Sequence, residues 1–264
     1  MNGVRALLCC ALLVFLALTG CSRQESVQPQ RVLFVGNSLT YVGNLPAVYS
    51  ALAADNGHAM HSDMIVRGGA TLSQRVADGS VARALESNRY AVIVLQERGG
   101  DLMCSFGPDS CVDSRAAIKA LVALAREHGA DVVLLGTYQP NPRASQRLIE
   151  MEAVAAKEAG IVYVEVSEKL RHLRNEAPDL AWFAEDGMHP GPDLTLLNAM
   201  LVYQALHGVL PTPDALTVDA PIYGVSSGLK ETLLAADAPP PRADTPMQAH
   251  YPAATMQWLH DAMP

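Results

Sequence analysis

Hydrophobic and polar positions alternate along this chain in blocks of two lengths. Short apolar runs at residues 32–35, 61–66, 91–95, 132–135 and 161–165 have the length of buried strands. Between them, residues 45–56, 80–88, 113–128 and 143–159 carry the 3.6-residue spacing of amphipathic helices. Ile118, Leu121, Val122 and Ala125 fall on one face of their helix, and Leu148, Met151 and Ala155 on one face of theirs. Gly57, Gly129 and Gly160 follow three of these blocks where a helix ends. A last helix is expected over 194–207, after Pro192-Asp193 and before Gly208. This alternation predicts one α/β domain with a mainly parallel sheet, right-handed crossovers and helices on both faces. Residues 211–264 include Pro239-Pro240-Pro241 and little periodicity, so they are expected to form a packed or partly mobile appendage. No internal repeat is evident.

Directly after the first apolar run stands Gly36-Asn37-Ser38-Leu39, and near the far end of the core stands Asp186-Gly187-Met188-His189. Open parallel sheets bind ligands beyond the carboxyl ends of their strands, which is where Ser38 falls. Gly36 allows a sharp turn there, and Asn37 tolerates unusual backbone angles. Within the late motif, Asp186 can hold one ring nitrogen of His189 while the other faces Ser38. Taken singly, Asn-Ser after a strand is an ordinary turn or cap, and Asp-x-x-His an ordinary loop. Together, in this order and on these elements, they supply the nucleophile, base and orienting carboxylate of a serine hydrolase. The lipase elbow matches less well, since Gly36-Asn37-Ser38-Leu39-Thr40 lacks the second glycine and lies on the first strand.

These motifs resemble the SGNH/GDSL hydrolase family, whose G-[DN]-S-L serine is the nucleophile and whose late D-x-x-H completes the triad. The resemblance covers about residues 31–210. It implies a three-layer flavodoxin-like sandwich with a five-stranded sheet in the order 2-1-3-4-5. It also implies ester cleavage through an acyl-enzyme, with Ser38, His189 and Asp186 in the triad roles and no metal or organic cofactor. Val66-Arg67-Gly68-Gly69-Ala70-Thr71 resembles the family's second block, which assigns an oxyanion-binding amide to Gly69, a plain Gly68-Gly69 turn being the alternative. In the third block the family has G-x-N-D, whereas this chain reads Val94-Leu95-Gln96-Glu97-Arg98. Gln96 carries the same amide on one more methylene. It is the candidate third donor beside the Ser38 and Gly69 amides, and orienting Glu97 or binding backbone is its alternative. Arg67 and Tyr138, at other strand ends, are candidates for lining the pocket or for structural roles.

What the resemblance implies of substrate is removal of small acyl groups such as acetate from glycans. Lipid esters or thioesters are the enzymatic alternative. A non-catalytic glycan-binding lipoprotein is the alternative from another class, supported by the missing asparagine alone. The other histidines carry no assignment.

The first residues change the expected location. Arg5 precedes an apolar run over residues 6–18, the length of a secretory h-region and short for a bilayer span. Leu18-Thr19-Gly20-Cys21 resembles a bacterial lipobox, which predicts a signal peptide over 1–20, a diacylglyceryl group on Cys21 and a polar tether over 21–30. Ser22, rather than aspartate, resembles lipoproteins sorted to the outer membrane, so the domain is expected to face the periplasm. Loss of residues 1–20 removes Arg5 and no acid, leaving 18 basic against 27 acidic residues and a net charge of -9. Such a balance supports neither nucleic-acid binding nor electrostatic adhesion to anionic lipid. Of five cysteines, Cys9 and Cys10 leave with the signal and Cys21 is lipidated, which leaves Cys104 and Cys111. An oxidising compartment favours a disulfide between them, worth about 2.5 kcal/mol by loop closure, with two free thiols as the alternative. No cysteine or histidine spacing suggests a zinc site.

Overall fold

The computed structural model describes residues 30–229 and 233–263; the expected signal peptide, the expected lipidation site Cys21 and nearly all of the expected tether lie outside them. Five parallel strands form the centre: β1 (Gln30–Gly36), β2 (Met60–Val66), β3 (Val92–Leu95), β4 (Asp131–Leu135) and β5 (Val162–Val164). β1 lies between β2 and β3, with Gln30 opposite Met60 and Val32 opposite Val92, and β4 and β5 follow β3 outward. The 2-1-3-4-5 order thus holds, and the sheet has one strand more than expected. β7 (Leu234–Ala235) pairs antiparallel with β2, so the sheet is six-stranded. A two-residue strand has no periodicity to read, and its partner Asp63–Met64 is more than 160 residues away in sequence.

Residues 32–35 of β1, 92–95 of β3 and 132–135 of β4 are apolar on both faces because both faces are covered. Val32 and Phe34 of β1 and Val92 and Val94 of β3 join the core beneath α2 (Leu45–Asp55) and α8 (Pro192–His207). Leu33, Val35, Ile93 and Leu95 point the other way, beneath α3 (Leu72–Ala77), α4 (Ser80–Ser87), α5 (Ser110–Glu127) and α6 (Pro142–Ala159). Helix α8 buries every residue from Leu194 to Tyr203, in keeping with an apolar run that circles the helix. Four helices among the described residues lie outside the expected set: α1 (Ser38–Tyr41), α3, α7 (Ser167–Glu176) and α9 (Ala253–Ala262).

Residues after 210 are built into the same core. β6 (Leu216–Val218) pairs antiparallel with β8 (Ala249–Tyr251), and α9 (Ala253–Ala262) buries Met256 and Leu259. The junction is Asn44, fully buried in a left-handed conformation (φ 55°). Its side-chain amide donates to the carbonyls of Pro221 (2.7 Å) and Ala236 (2.8 Å), while its oxygen accepts from the Ala47 amide to cap α2. Asparagine suits the position because it tolerates positive φ and its side chain both donates and accepts. No helix among the described residues is long and apolar enough to cross a membrane.

Candidate active site

The site grows from the carboxyl end of β1. Gly36 ends the strand, Asn37 turns the chain, and Ser38 opens the short helix α1 (Ser38–Tyr41). Asn37 Oδ1 accepts from the Leu39 amide at 3.0 Å, a local cap that holds Ser38 half-exposed. Glycine is required at 36 for space: a Cβ there would lie 2.1 Å from Thr40 Oγ1 and 3.2 Å from the Gln96 carbonyl oxygen.

Thr40 also decides what Gln96 does. Its hydroxyl donates to Gln96 Oε1 (2.7 Å), Gln96 Nε2 donates to the Gly136 carbonyl (3.3 Å), and the residue is 1% exposed. The oxyanion role expected of Gln96 is therefore corrected. The extra methylene carries the amide past the substrate side and into the interior, where it bridges α1 to the end of β4. Gln96→Ala leaves a buried hydroxyl and a buried carbonyl without partners, so it should cost about 1–3 kcal/mol in denaturant unfolding. Activity per folded molecule should fall less than tenfold. A hundredfold loss of kcat at unchanged stability would restore the donor role.

Beside α1 lies the loop after β2. Gly69 has φ 68°, a conformation open to glycine and strained for other residues, and a Cβ on neighbouring Gly68 would come within 3.3 Å of the Tyr41 hydroxyl. Among the described residues, neither the Ser38 nor the Gly69 amide has an acceptor. Thr71 then caps α3 in a reciprocal capping box with Gln74, whose side chain also accepts from Arg67. This loop is braced from β3 by Glu97, 2% exposed, which accepts from the amides of Leu72 (3.1 Å) and Arg98 (2.8 Å) and from the Ser114 hydroxyl (2.5 Å). Burial raises the Glu97 carboxyl to about 7, and those three donors oppose the rise. Beyond it Arg98 grips Asp101 through two hydrogen bonds and covers the exposed Phe106 ring at 3.7 Å. Cys104 and Cys111 are joined in a disulfide that closes this loop.

Asp186 and His189 stand on a tight loop after α7. Phe183 bridges Pro190, the Ala184 amide donates to the His189 carbonyl, and Gly187 donates back to Ala184. Asp186 Oδ1 accepts from the Met188 and His189 amides (2.9 and 3.0 Å), and its Oδ2 lies 2.5 Å from His189 Nδ1. These backbone donors, with the imidazole, pull the Asp186 carboxyl down to about 2. An ionised Asp186 requires the proton on Nδ1, which leaves Nε2 as the free base. The loop is pinned to the exit of β4 by the Tyr138 hydroxyl, which donates to the Met188 carbonyl (2.5 Å). Burial pushes the Tyr138 phenol up, so it stays a donor. Tyr138 is thus a strut for the His189 loop, and Arg67 braces the Gly69 loop.

All of these loops leave the same edge of the sheet, with β3 between the strand that ends at Ser38 and the strand that anchors the His189 loop. The loops after β3 and β4 touch, since a Cβ on Gly99 would meet Thr137 Oγ1 at 3.7 Å. Among the described residues no hydrogen bond joins Ser38 to His189; such bonds commonly tighten only when substrate binds. Sequence reasoning missed the C-terminal contribution. The Gly43 amide donates to the Tyr223 carbonyl (2.9 Å) and the Tyr41 hydroxyl to the Val225 carbonyl (3.5 Å), so the tail buttresses α1 from outside. No local signal marks those partners. No group of three metal-ligating side chains occurs among the described residues.

No protein-family model matches the chain, and no curated protein does. Solved structures do. A protein from Slackia heliotrinireducens described as a putative SGNH hydrolase superposes with a TM-score of 0.55 at 24% identity, covering 68% of this chain and 100% of its own. A psychrotrophic esterase, EstA, from Pseudoalteromonas gives 0.53 at 14% identity over 68% of this chain and 97% of its own. A catalytic mutant of Axe2, an acetylxylan esterase from Geobacillus stearothermophilus, gives 0.50 at 13% identity over 67% and 92%. At these identities the likeness establishes the fold: this chain has the fold of the SGNH/GDSL hydrolases.

Proposed function

We propose that this protein hydrolyses carboxylic esters by a serine acyl-enzyme route. One observation carries the proposal: an ionised Asp186 bonded to His189 on a loop pinned to the sheet edge where Ser38 emerges. His189 Nε2 takes the Ser38 proton as Oγ attacks the ester carbonyl, and the Ser38 and Gly69 amides receive the negative charge that develops on oxygen. His189 then gives its proton to the leaving alcohol and activates the water that releases the acid. Asp186 holds the tautomer throughout. With Gln96 turned inward, the oxyanion is left to backbone amides, which Glu97 steadies by fixing the start of α3.

Small acyl groups on glycans are the favoured substrates, in line with the acetylxylan esterase among proteins of this fold. Labelling of the purified protein by a fluorophosphonate, together with acetate release from acetylated xylo-oligosaccharides, tests the reaction and the substrate separately. Lack of labelling and of any aryl-acetate turnover would reject the reaction itself. We further propose that Cys21, within Leu18-Thr19-Gly20-Cys21, bears the lipid that anchors the domain to the bacterial envelope, in the outer membrane facing the periplasm. Cys21→Ala should abolish fatty-acid incorporation and move the protein to the soluble fraction; continued incorporation would place the anchor elsewhere.

A further inference from the structure

A cavity of about 230 Å³ lies behind the His189 loop, between the exit of β4 and α7. It shares two walls with that loop. Tyr138, whose hydroxyl holds the Met188 carbonyl, forms one side, and Phe183, bridged to Pro190, forms the other, their ring centres 5.6 Å apart. Gln139 lines the cavity as well, and its side-chain amide lies close to Gly99 on the neighbouring β3 loop, so the cavity faces the same edge as Ser38.

Two arginines line the cavity, and their surroundings differ. Arg171 is gripped by Glu168 through Nε and Nη2, so its charge is answered. Arg174 lies over the Phe183 ring, 5.1 Å from its centre, and among the described residues no carboxylate pairs with it. The ring restricts where the guanidinium can go while leaving its donors open. In a chain of net charge -8, an unanswered arginine beside the candidate site is a local reversal of the prevailing field.

Which part of a substrate would reach this cavity follows from the ester-hydrolase reading, on which this step rests. The oxyanion donors sit on the α1 and Gly69 side, whereas the leaving alcohol must receive its proton from His189 and so lies on the His189 side. The cavity is smaller than the ~300–1,000 Å³ that encloses a whole drug-sized ligand, and suits one ring-sized group. We infer that this cavity is the subsite for the alcohol portion of the ester, and that Arg174 selects an alcohol bearing a carboxylate, such as an acylated uronic acid residue. A planar carboxylate matches the guanidinium fork, and Phe183 and Tyr138 give the cavity aromatic walls for the ring that carries it.

The test compares 3-acetoxybenzoate with its neutral methyl ester, which place the same acetyl group on alcohols with and without the carboxylate. The wild-type protein should favour the charged ester, and Arg174→Gln should lower the charged-to-neutral ratio of kcat/KM about tenfold, chiefly through KM of the charged ester. Arg174→Glu should invert the ratio. Raising salt should shrink the wild-type preference and leave that of Arg174→Gln unmoved. A ratio unchanged in both variants overturns the subsite. Equilibrium binding of 3-hydroxybenzoate against its methyl ester reads the cavity without turnover. If neither acetyl ester is cleaved but 3-hydroxybenzoate binds in an Arg174-dependent way, the hydrolase reading fails and the anion subsite stands. Binding indifferent to Arg174 removes the subsite whatever the turnover.

Discussion

Replacing Ser38 by alanine should reduce ester turnover by on the order of 10⁶ in kcat, the loss expected when a nucleophile is deleted from a triad that acts as a unit. What survives is the smaller acceleration that binding and the amides of Ser38 and Gly69 provide without covalent chemistry. The fold should be nearly indifferent. Ser38 is half-exposed, Asn37 rather than Ser38 caps α1, and alanine is compatible with a first helical position, so the stability change should stay within about 0.5 kcal/mol. Large loss of rate with intact stability separates a nucleophile from a buried structural serine. Fluorophosphonate labelling followed by peptide mass analysis makes the decision, because the adduct should map to Ser38 in the wild type and vanish in Ser38→Ala. Adduct formation that persists in the variant would rule the assignment out.

His189→Ala should be about as damaging as Ser38→Ala, since the imidazole moves a proton in both half-reactions. Asp186→Asn should cost less, roughly 10⁴ in kcat, because the amide keeps the shape but cannot hold the Nδ1 proton as the carboxylate does. Asp186→Ala removes more than the charge: the same carboxylate accepts from the Met188 and His189 amides, so the loop itself should loosen. The KM should rise with the fall in kcat in that variant alone. Acidification gives an independent check. Asp186, held near 2, stays ionised as the solution is made mildly acidic, so its hydrogen bonds from the Met188 and His189 amides should persist and the loop should keep its fold there. Its depressed carboxyl also means that Asp186 contributes stability above its ordinary value near 3.8, lost as pH falls toward 2. Near wild-type turnover in His189→Ala would defeat the triad.

Much of the fold was legible because it is written in local pattern. The runs in β1, β3 and β4 are apolar on both faces, and Gly160 does close α6 in the left-handed conformation (φ 67°). Ser38 and Asp186-x-x-His189 stood out because motif order and strand-end position are properties of a chain read in one direction. The Asp186–His189 contact of the candidate triad was legible for the same reason, since the two residues are three apart and one loop turn brings them together.

Gln96 could not be assigned that way. Its chemistry as an amide suited an oxyanion donor, but its direction depends on Thr40, 56 residues earlier, and Gly136, 40 residues later. Arg174 is similar: only the packing of α7 against Phe183 turns a surface arginine into a wall of the candidate site. The tail beyond residue 210 was read as an appendage because its strands are two or three residues long, its one helix α9 buries only Met256 and Leu259, and its junction with the core depends on Asn44 reaching the distant Pro221 and Ala236 carbonyls. The sequence by itself therefore determined the alternating elements, through short-range periodicity, and the position of the candidate nucleophile and base, through motif order; the strand order was available only as what the family resemblance of those motifs implies. Tertiary structure alone decided the sixth strand, the inward turn of Gln96 and the Glu97 brace, because a polar side chain follows whichever buried partners the folded chain leaves to be satisfied.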